Sequence, residues 1–276
     1  MAKAVTGRTR LAAVIGQPVD NSLSPTMHNA AYAAMGLDIA YLALPVVADE
    51  LDNAVAGIRA LGFVGASVTV PYKQAVIPFL DELSPGAEQL QAVNCIVNSK
   101  GRLVGHNTDG AGFIASLSEV DFDPRQRKCV VVGAGGAARA IIAALAGAGA
   151  SEVRVVNRSQ ESARMAALLA GDSGSVAGPD SISDADLVVN ATSIGMTGTE
   201  SESEVPFATD LLGPGHVVVD IVYSPPVTLL LHASTERGAR TANGLGMLVH
   251  QAVEQIRLWT GRDAPTLVMK EAALRA

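Results

Sequence analysis

Short apolar runs of strand length alternate along this chain with longer stretches whose small and apolar residues recur at helical spacing. The first run, 11–15, ends at Gly16. Ser24-Pro25-Thr26 then predicts a helix over 25–35, with Ser24 as N-cap, Pro25 at the first helical position, where its missing N–H costs nothing, and Gly36 as the stop. A strand at 40–44, a helix at 48–61 and a strand at 65–70 follow on short connections. Next come a helical stretch at 84–90, a strand at 92–97, a hairpin turn at Asn98-Ser99-Lys100-Gly101 and a return strand at 103–105. Asp109 can cap a helix over 111–117, and the polar Phe122-Asp123-Pro124 reads as a junction.

Beyond the junction the pattern gives strands at 129–132, 153–156, 186–190, 216–222 and 240–242, with helices at 137–148, at 160–169 and from near Thr228. The Gly/Ser-rich 171–183 is weakly patterned, and the loop 197–204, which has three Glu and no apolar residue, is expected to be a mobile surface segment. A long amphipathic helix at 247–260 and a shorter one at 265–276 are expected to pack back on the first part of the chain, with Trp259 in its core. Such alternation argues an α/β protein of two domains. We expect 1–122 plus 245–276 to form a substrate-binding domain with a mainly parallel sheet, and 123–244 a doubly wound dinucleotide-binding domain of Rossmann type.

The most informative stretch is 128–158, a strand, a glycine turn, an Ala-rich helix and a second strand. Its glycines read G-x-G-x-x-A: Gly133 permits the tight turn, Gly135 lets a pyrophosphate approach the backbone, and Ala138 is small enough for close helix-to-strand packing. The free N–H groups of Gly136 and Ala137 at the helix start, after Ala134 and Gly135, favour a negative charge there. A site for NAD usually places Asp or Glu at the end of the second strand, whereas NADP needs a cation for its 2′-phosphate. Here Asn157-Arg158-Ser159 supplies a planar charged fork, a hydroxyl donor and no carboxylate. NADP is therefore the expected cofactor.

Composition narrows the picture without changing it. The 276 residues are 49% hydrophobic and only 4% aromatic, which suits small-residue α/β packing, and a net charge of −7 gives no electrostatic footprint for nucleic acid or an anionic membrane. No run reaches the length of a membrane span and no secretory leader is evident, so a cytoplasmic protein is expected. Cys95 and Cys129 each sit in an apolar run and are expected to be buried thiols; no spacing suggests a metal site. Ser22 and Ser24 near a helix start form a neutral, donor-rich anion site, although capping alone would explain Ser24. Thr69 and Lys73 follow a strand end, where ligands of open α/β sheets bind.

Taken together, Ser22-Leu23-Ser24-Pro25, Val68-Thr69-Val70-Pro71-Tyr72-Lys73, Ala92-Val93-Asn94, Asn107-Thr108-Asp109-Gly110, the glycine turn, Asn157-Arg158, Asn190-Ala191-Thr192-Ser193 and Gly244-Leu245-Gly246-Met247-Leu248 resemble the shikimate dehydrogenase family over almost the whole chain. The resemblance implies reversible reduction of 3-dehydroshikimate to shikimate with NADPH. It implies that Ser22 and Ser24 bind the substrate carboxylate, that Thr69, Asn94, Asp109 and Gln251 hold hydroxyls and ring, and that Tyr223 reaches the substrate. Lys73 and Asp109 match the catalytic pair, and Thr192, Ile221 and Gly244 join the cofactor site. Chemistry agrees: a carbonyl that receives hydride needs a proton, which a lysine ammonium can deliver. Three positions depart from the common pattern: Ser162 where a second Arg often stands, Ile221 in place of Met, and Asn243 in place of Asp. A quinate/shikimate dehydrogenase that uses NAD is one alternative. A non-catalytic metabolite sensor is disfavoured by Lys73 and Asp109, and a relative acting on an amino-substituted analogue ranks last. The partner is a small molecule, and a monomer or homodimer is expected.

Overall fold

In the computed structural model, which describes residues 5–276, the alternation of strands and helices yields two six-stranded sheets. The first contains β1 (Arg10–Gly16), β2 (Ile39–Pro45), β3 (Gly65–Val68), β4 (Glu82–Leu83), β5 (Cys95–Ser99) and β6 (Arg102–His106), in the order β2-β1-β3-β5-β6-β4. Three of its five pairings are parallel, and the β3-β5-β6 run is antiparallel. Helices α1 (Ser24–Ala34), α2 (Leu51–Ala60) and α3 (Pro85–Leu90) connect these strands. Alternation along β3 decides what each face holds. Ala66 and Val68 enter an apolar core with Ile15, Ile96, Leu103 and the α2 residues Leu51, Val55 and Ile58. Ser67 between them faces the other way, where the site described below is built.

Helix α4 (Asp109–Ser116) precedes the second sheet, formed by β7 (Lys128–Val132), β8 (Glu152–Val156), β9 (Gly174–Val176), β10 (Leu187–Asn190), β11 (Val217–Asp220) and β12 (Arg240–Ala242). All its pairings are parallel, in the order β12-β11-β10-β7-β8-β9, the doubly wound arrangement. The valine runs follow from that topology, because a parallel sheet is covered on both faces. Val131, Val153, Val155, Val189 and Val219 pack into one core with α5 (Gly136–Gly147) and α6 (Gln160–Ala167). Val130, Val132, Val156, Val188 and Val218 enter the opposite core with α7 (Leu229–Glu236). Then α8 (Leu245–Thr260) and α9 (Thr266–Leu274) follow. α9 packs on α1, and the buried Trp259 donates its Nε1–H to Ile96 O (2.9 Å), as core packing requires of an indole. Both cysteines are buried free thiols.

Three expectations are corrected. Ser24 is not the cap of α1: the helix already includes it, Leu23 stands at the N-cap position without a side-chain bond, and the Ser24 N–H is taken by Ser22 Oγ (3.3 Å). A three-residue edge strand, β9, lies inside the weakly patterned 171–183. The loop 197–204 lies largely at the surface, as expected, with Gly195 N–H donating to Ser201 O (2.9 Å) and Thr197 N–H to Ser224 O (2.8 Å). Finally, the chain divides after Thr108 and after Leu248, giving one unit up to Thr108 with Val249–Ala276 and another of Asp109–Leu248, instead of dividing near 122 and 244. The reason is α4, which packs on α5: a Cβ at Gly110 would lie 2.9 Å from Ala140 O, a backbone approach open only to glycine.

Candidate active site

In the first unit the chain passes from β1 to β2 on one flank and then crosses to β3 on the other. Such a reversal opens a crevice at the carboxyl ends of the central strands. The loop after β1 brings Ser22 and Ser24 to the start of α1. Ser24 is buried, and its carbonyl accepts from the Nδ1–H of His28 one turn on (2.9 Å). His28 is fully buried, stacked on Tyr41 at 4.0 Å, and burial lowers its pKa to about 4, so it is a neutral ring.

From β3 come Thr69 and Lys73, and Pro71 between them keeps the strand from continuing. Their backbone is pinned from three sides. Thr69 N–H donates to Ile15 O (3.0 Å), Tyr72 Oη to Val46 O (2.6 Å), and Val93 N–H to Lys73 O (2.7 Å). Lys73 is half-buried.

Asn94, just before β5, and Gln251, in the Val249–Thr260 part of α8, come together in a buried amide cluster. Asn94 Nδ2 donates to Gln251 Oε1 (3.3 Å) and to Thr108 Oγ1 (3.0 Å). Thr108 returns its N–H to Asn94 Oδ1 (2.7 Å) and its hydroxyl hydrogen to Gln251 O (3.1 Å). Gln255 Nε2 adds a bond to Gln251 Oε1 (2.6 Å). Sequence reasoning missed Thr108, Gln255, Ser67 and Tyr41 as members of this polar region. The available signals were the Gln251/Gln255 spacing of one helical turn and a serine in an otherwise apolar strand.

The second unit repeats the reversal at β7 and β10, with Gly133 to Ala137 after β7. Gly133 has φ +119°, and a Cβ there would lie 2.7 Å from Ala191 O, so the turn admits no other residue without strain. Gly135 is the N-cap of α5 with no side chain over the helix start, and the buried Ala138 packs against the sheet. This is a cradle of backbone N–H groups that fits a dinucleotide pyrophosphate. At the end of β8, Arg158 is exposed, Asn157 Nδ2 donates to Ser159 O (3.1 Å), and Ser159 caps α6 by accepting from Ser162 N–H (3.2 Å). Ser162 Oγ also donates to Ser159 Oγ (3.1 Å), so the Ser159 hydroxyl hydrogen is what it can offer a phosphate.

After β10, Thr192 Oγ1 donates to Asn190 Oδ1 (2.7 Å) and accepts from Ile194 N–H (3.2 Å), which shapes the turn there. That turn is fixed by Asp220, whose carboxylate accepts from Asn190 Nδ2 (2.9 Å) and Thr228 Oγ1 (2.7 Å). Gly244 N–H donates to Val222 O (3.0 Å), setting it beside Ile221. Tyr223 follows β11 half-buried, and burial raises its hydroxyl pKa. Asp109, the first residue of α4, is buried and belongs to this unit, whereas Lys73 belongs to the other.

Comparison with known proteins gives the family. Residues 14–96 match the shikimate dehydrogenase substrate binding domain, 116–221 match shikimate / quinate 5-dehydrogenase, and 244–274 match the shikimate 5′-dehydrogenase C-terminal domain. Shikimate dehydrogenase (NADP(+)) of Moorella thermoacetica is 46% identical over 96% of this chain and 92% of its own. The crystal structure of shikimate 5-dehydrogenase from Thermus thermophilus with NADP(H) and shikimate has a TM-score of 0.90 at 36% identity, covering 97% of this chain and 99% of that one. Quinate dehydrogenase from Corynebacterium glutamicum with NAD has a TM-score of 0.88 at 35% identity, covering 97% and 99%. By sequence over nearly its full length and by fold, this chain belongs to the shikimate dehydrogenase family.

Proposed function

We propose that this chain catalyses the reversible NADPH-dependent reduction of 3-dehydroshikimate to shikimate, a step toward chorismate and the aromatic amino acids. The observation that carries the reading is the full-length likeness to relatives named as NADP(+)-dependent shikimate dehydrogenases, 46% identical in the case above. The cofactor, bound at the glycine turn, supplies hydride, and Arg158 with Ser159 answers its 2′-phosphate. Ser22 and Ser24 hold the substrate carboxylate by hydroxyl donation at a helix start. Thr69, Asn94, Asp109, Tyr223 and Gln251 bound the hydroxylated ring. In the reductive direction the Lys73 ammonium stabilises the developing alkoxide and gives up a proton to it, and the Asp109 carboxylate favours the ammonium form. A cytoplasmic place of work and a monomeric or homodimeric state belong to the same reading.

Purified protein with shikimate and NADP should show rising reduced-nicotinamide absorbance. Lys73→Ala should lose about 10²–10⁴-fold in kcat while still binding shikimate in calorimetry. Wild-type protein that binds shikimate without turnover would refute the reading in favour of a sensor. A second reading, quinate with NAD, is favoured by the quinate dehydrogenase neighbour and by Ser162 where a second cation could stand. Faster turnover of quinate with NAD than of shikimate with NADP would establish it.

A further inference from the structure

The amide cluster continues into a part of the first unit that the proposed chemistry does not use. Gln255 Oε1 accepts from Ser67 Oγ (2.6 Å), and Ser67 Oγ accepts from Tyr41 Oη (2.6 Å). Tyr41, Ser67 and Gln255 are all buried, and Tyr41 is held in place by the His28 ring stacked on it.

The polarity of this chain is dictated from the backbone. Side-chain amides can turn either way, but a backbone N–H only donates and a backbone carbonyl only accepts. Thr108 N–H meets Asn94 Oδ1 at 2.7 Å, so the other end of Asn94 is its NH₂, and that group faces Gln251. Gln255 Nε2 meets the Asn94 carbonyl at 3.3 Å, so Gln255 also turns a donor toward Gln251 and its acceptor toward Ser67. Two donors therefore converge on one atom of Gln251, which must be Oε1. On Ser67 the hydroxyl hydrogen goes to Gln255, which obliges Tyr41 to donate in turn. Each member has one orientation consistent with its neighbours, and reversing any one would set donor against donor or acceptor against acceptor in a buried place.

We infer that Tyr41, Ser67 and Gln255 are positioning residues that lock the Gln251 side chain with its carbonyl oxygen inward and its NH₂ toward the substrate, so that Gln251 acts as a hydrogen-bond donor to a ring oxygen of a polyhydroxylated carboxylic acid. The inference rests on the proposed shikimate chemistry and specifies how one wall of that site reads its ligand. A Gln251 free to turn would offer the substrate oxygen an acceptor in part of the population, and affinity would fall by the fraction misaligned. Because the proposed chemistry gives Gln251 no part in hydride or proton transfer, the loss belongs in shikimate KM, with kcat and the NADP KM largely kept.

The test is a set of variants with kcat, both KM values and thermal unfolding measured together. Gln255→Leu removes the principal donor to Gln251 Oε1 and should raise shikimate KM about tenfold, with kcat and NADP KM within about twofold. Tyr41→Phe removes only an oxygen at the far end and should raise it about two- to threefold. Gln251→Ala should itself raise shikimate KM, and in that background Gln255→Leu should have no further effect, since there is no amide left to orient. Ser67→Thr, which keeps the hydroxyl, should stay near wild type where Ser67→Ala does not. Equal effects of Gln255→Leu with and without Gln251, or an unchanged shikimate KM in both Gln255→Leu and Tyr41→Phe, would overturn the inference while wild-type turnover of shikimate left the proposed function standing. A wild-type protein inactive on shikimate would remove both.

Discussion

In the proposed function the groups that meet an anion after β1 are side-chain hydroxyls, Ser22 and Ser24; those that meet one after β7 are backbone N–H groups at a turn where Gly133 and Gly135 have no side chain. Both places arise from one topological event, a sheet that reverses its winding beside its first strand. The difference lies in what must fit. A pyrophosphate is bulky and carries its charge over many oxygens, so removing side chains and approaching the backbone serves it best. A ring carboxylate is one small group among hydroxyls, so in the proposed function individually placed side chains read it, and a buried polar lattice of Asn94, Thr108 and Gln251 stands in the same unit. The second unit has an apolar core on both faces of its sheet, while the first gives up part of one face to that lattice.

The largest effect is expected at Gly133, where a side chain would meet a carbonyl at 2.7 Å from a backbone with φ +119°. Gly133→Val should raise the NADP KM more than about a hundredfold and cost roughly 3 kcal/mol of stability, read by steady-state kinetics and denaturant titration. Shikimate binding measured by calorimetry should survive it. If Gly133→Val left NADP KM unchanged, the backbone would not be what holds the pyrophosphate.

An effect on stability alone comes from His28, one helical turn after Ser24 in the first unit. Burial holds its pKa at about 4 against an ordinary 6.5. The unfolded chain thus binds a proton across that window and the native state does not. The native state has its full advantage above pH 6.5, and that advantage is lost progressively as pH falls to about 4, by about 3 kcal/mol in all. His28→Phe, which keeps a ring against Tyr41, should flatten that part of the stability profile. An equally steep loss in the variant would assign the acid sensitivity elsewhere.

How much of this was legible before the fold was known differs between the units. The second announces itself locally: the glycine turn, both flanking strands and Asn157-Arg158-Ser159 lie within one βαβ unit, and short-range spacing is what a sequence displays best. Ser22, Thr69 and Lys73 were marked only by their places at a helix start and a strand end, while Asn94 and Gln251 come from scattered segments and stood out through the joint resemblance to a family. Gln255, Ser67 and Tyr41 stayed hidden because their meaning is a hydrogen-bond polarity set by the backbone of Asn94 and Thr108, which no periodicity encodes. The domain boundary was misplaced for a similar reason. Asp109 signals a helix start but cannot say against what the helix packs, and the contact of Gly110 with Ala140 spans thirty positions of chain. β9 escaped because three residues at a sheet edge are too few to show an alternation.

If a carboxylate is read by side chains of one unit and a phosphorylated cofactor by the other, a crossed pair of variants should separate the two ligands. Ser22→Ala combined with Ser24→Ala should raise shikimate KM about 10–100-fold and leave NADP KM within about twofold. Arg158→Ala should do the reverse, raising NADP KM about 10–100-fold while shikimate KM holds and NAD use is little affected. A crossed result of that form is the prediction. If the serine pair weakened NADP as much as shikimate, or Arg158→Ala weakened shikimate as much as NADP, the division of ligands between the two sites would be contradicted.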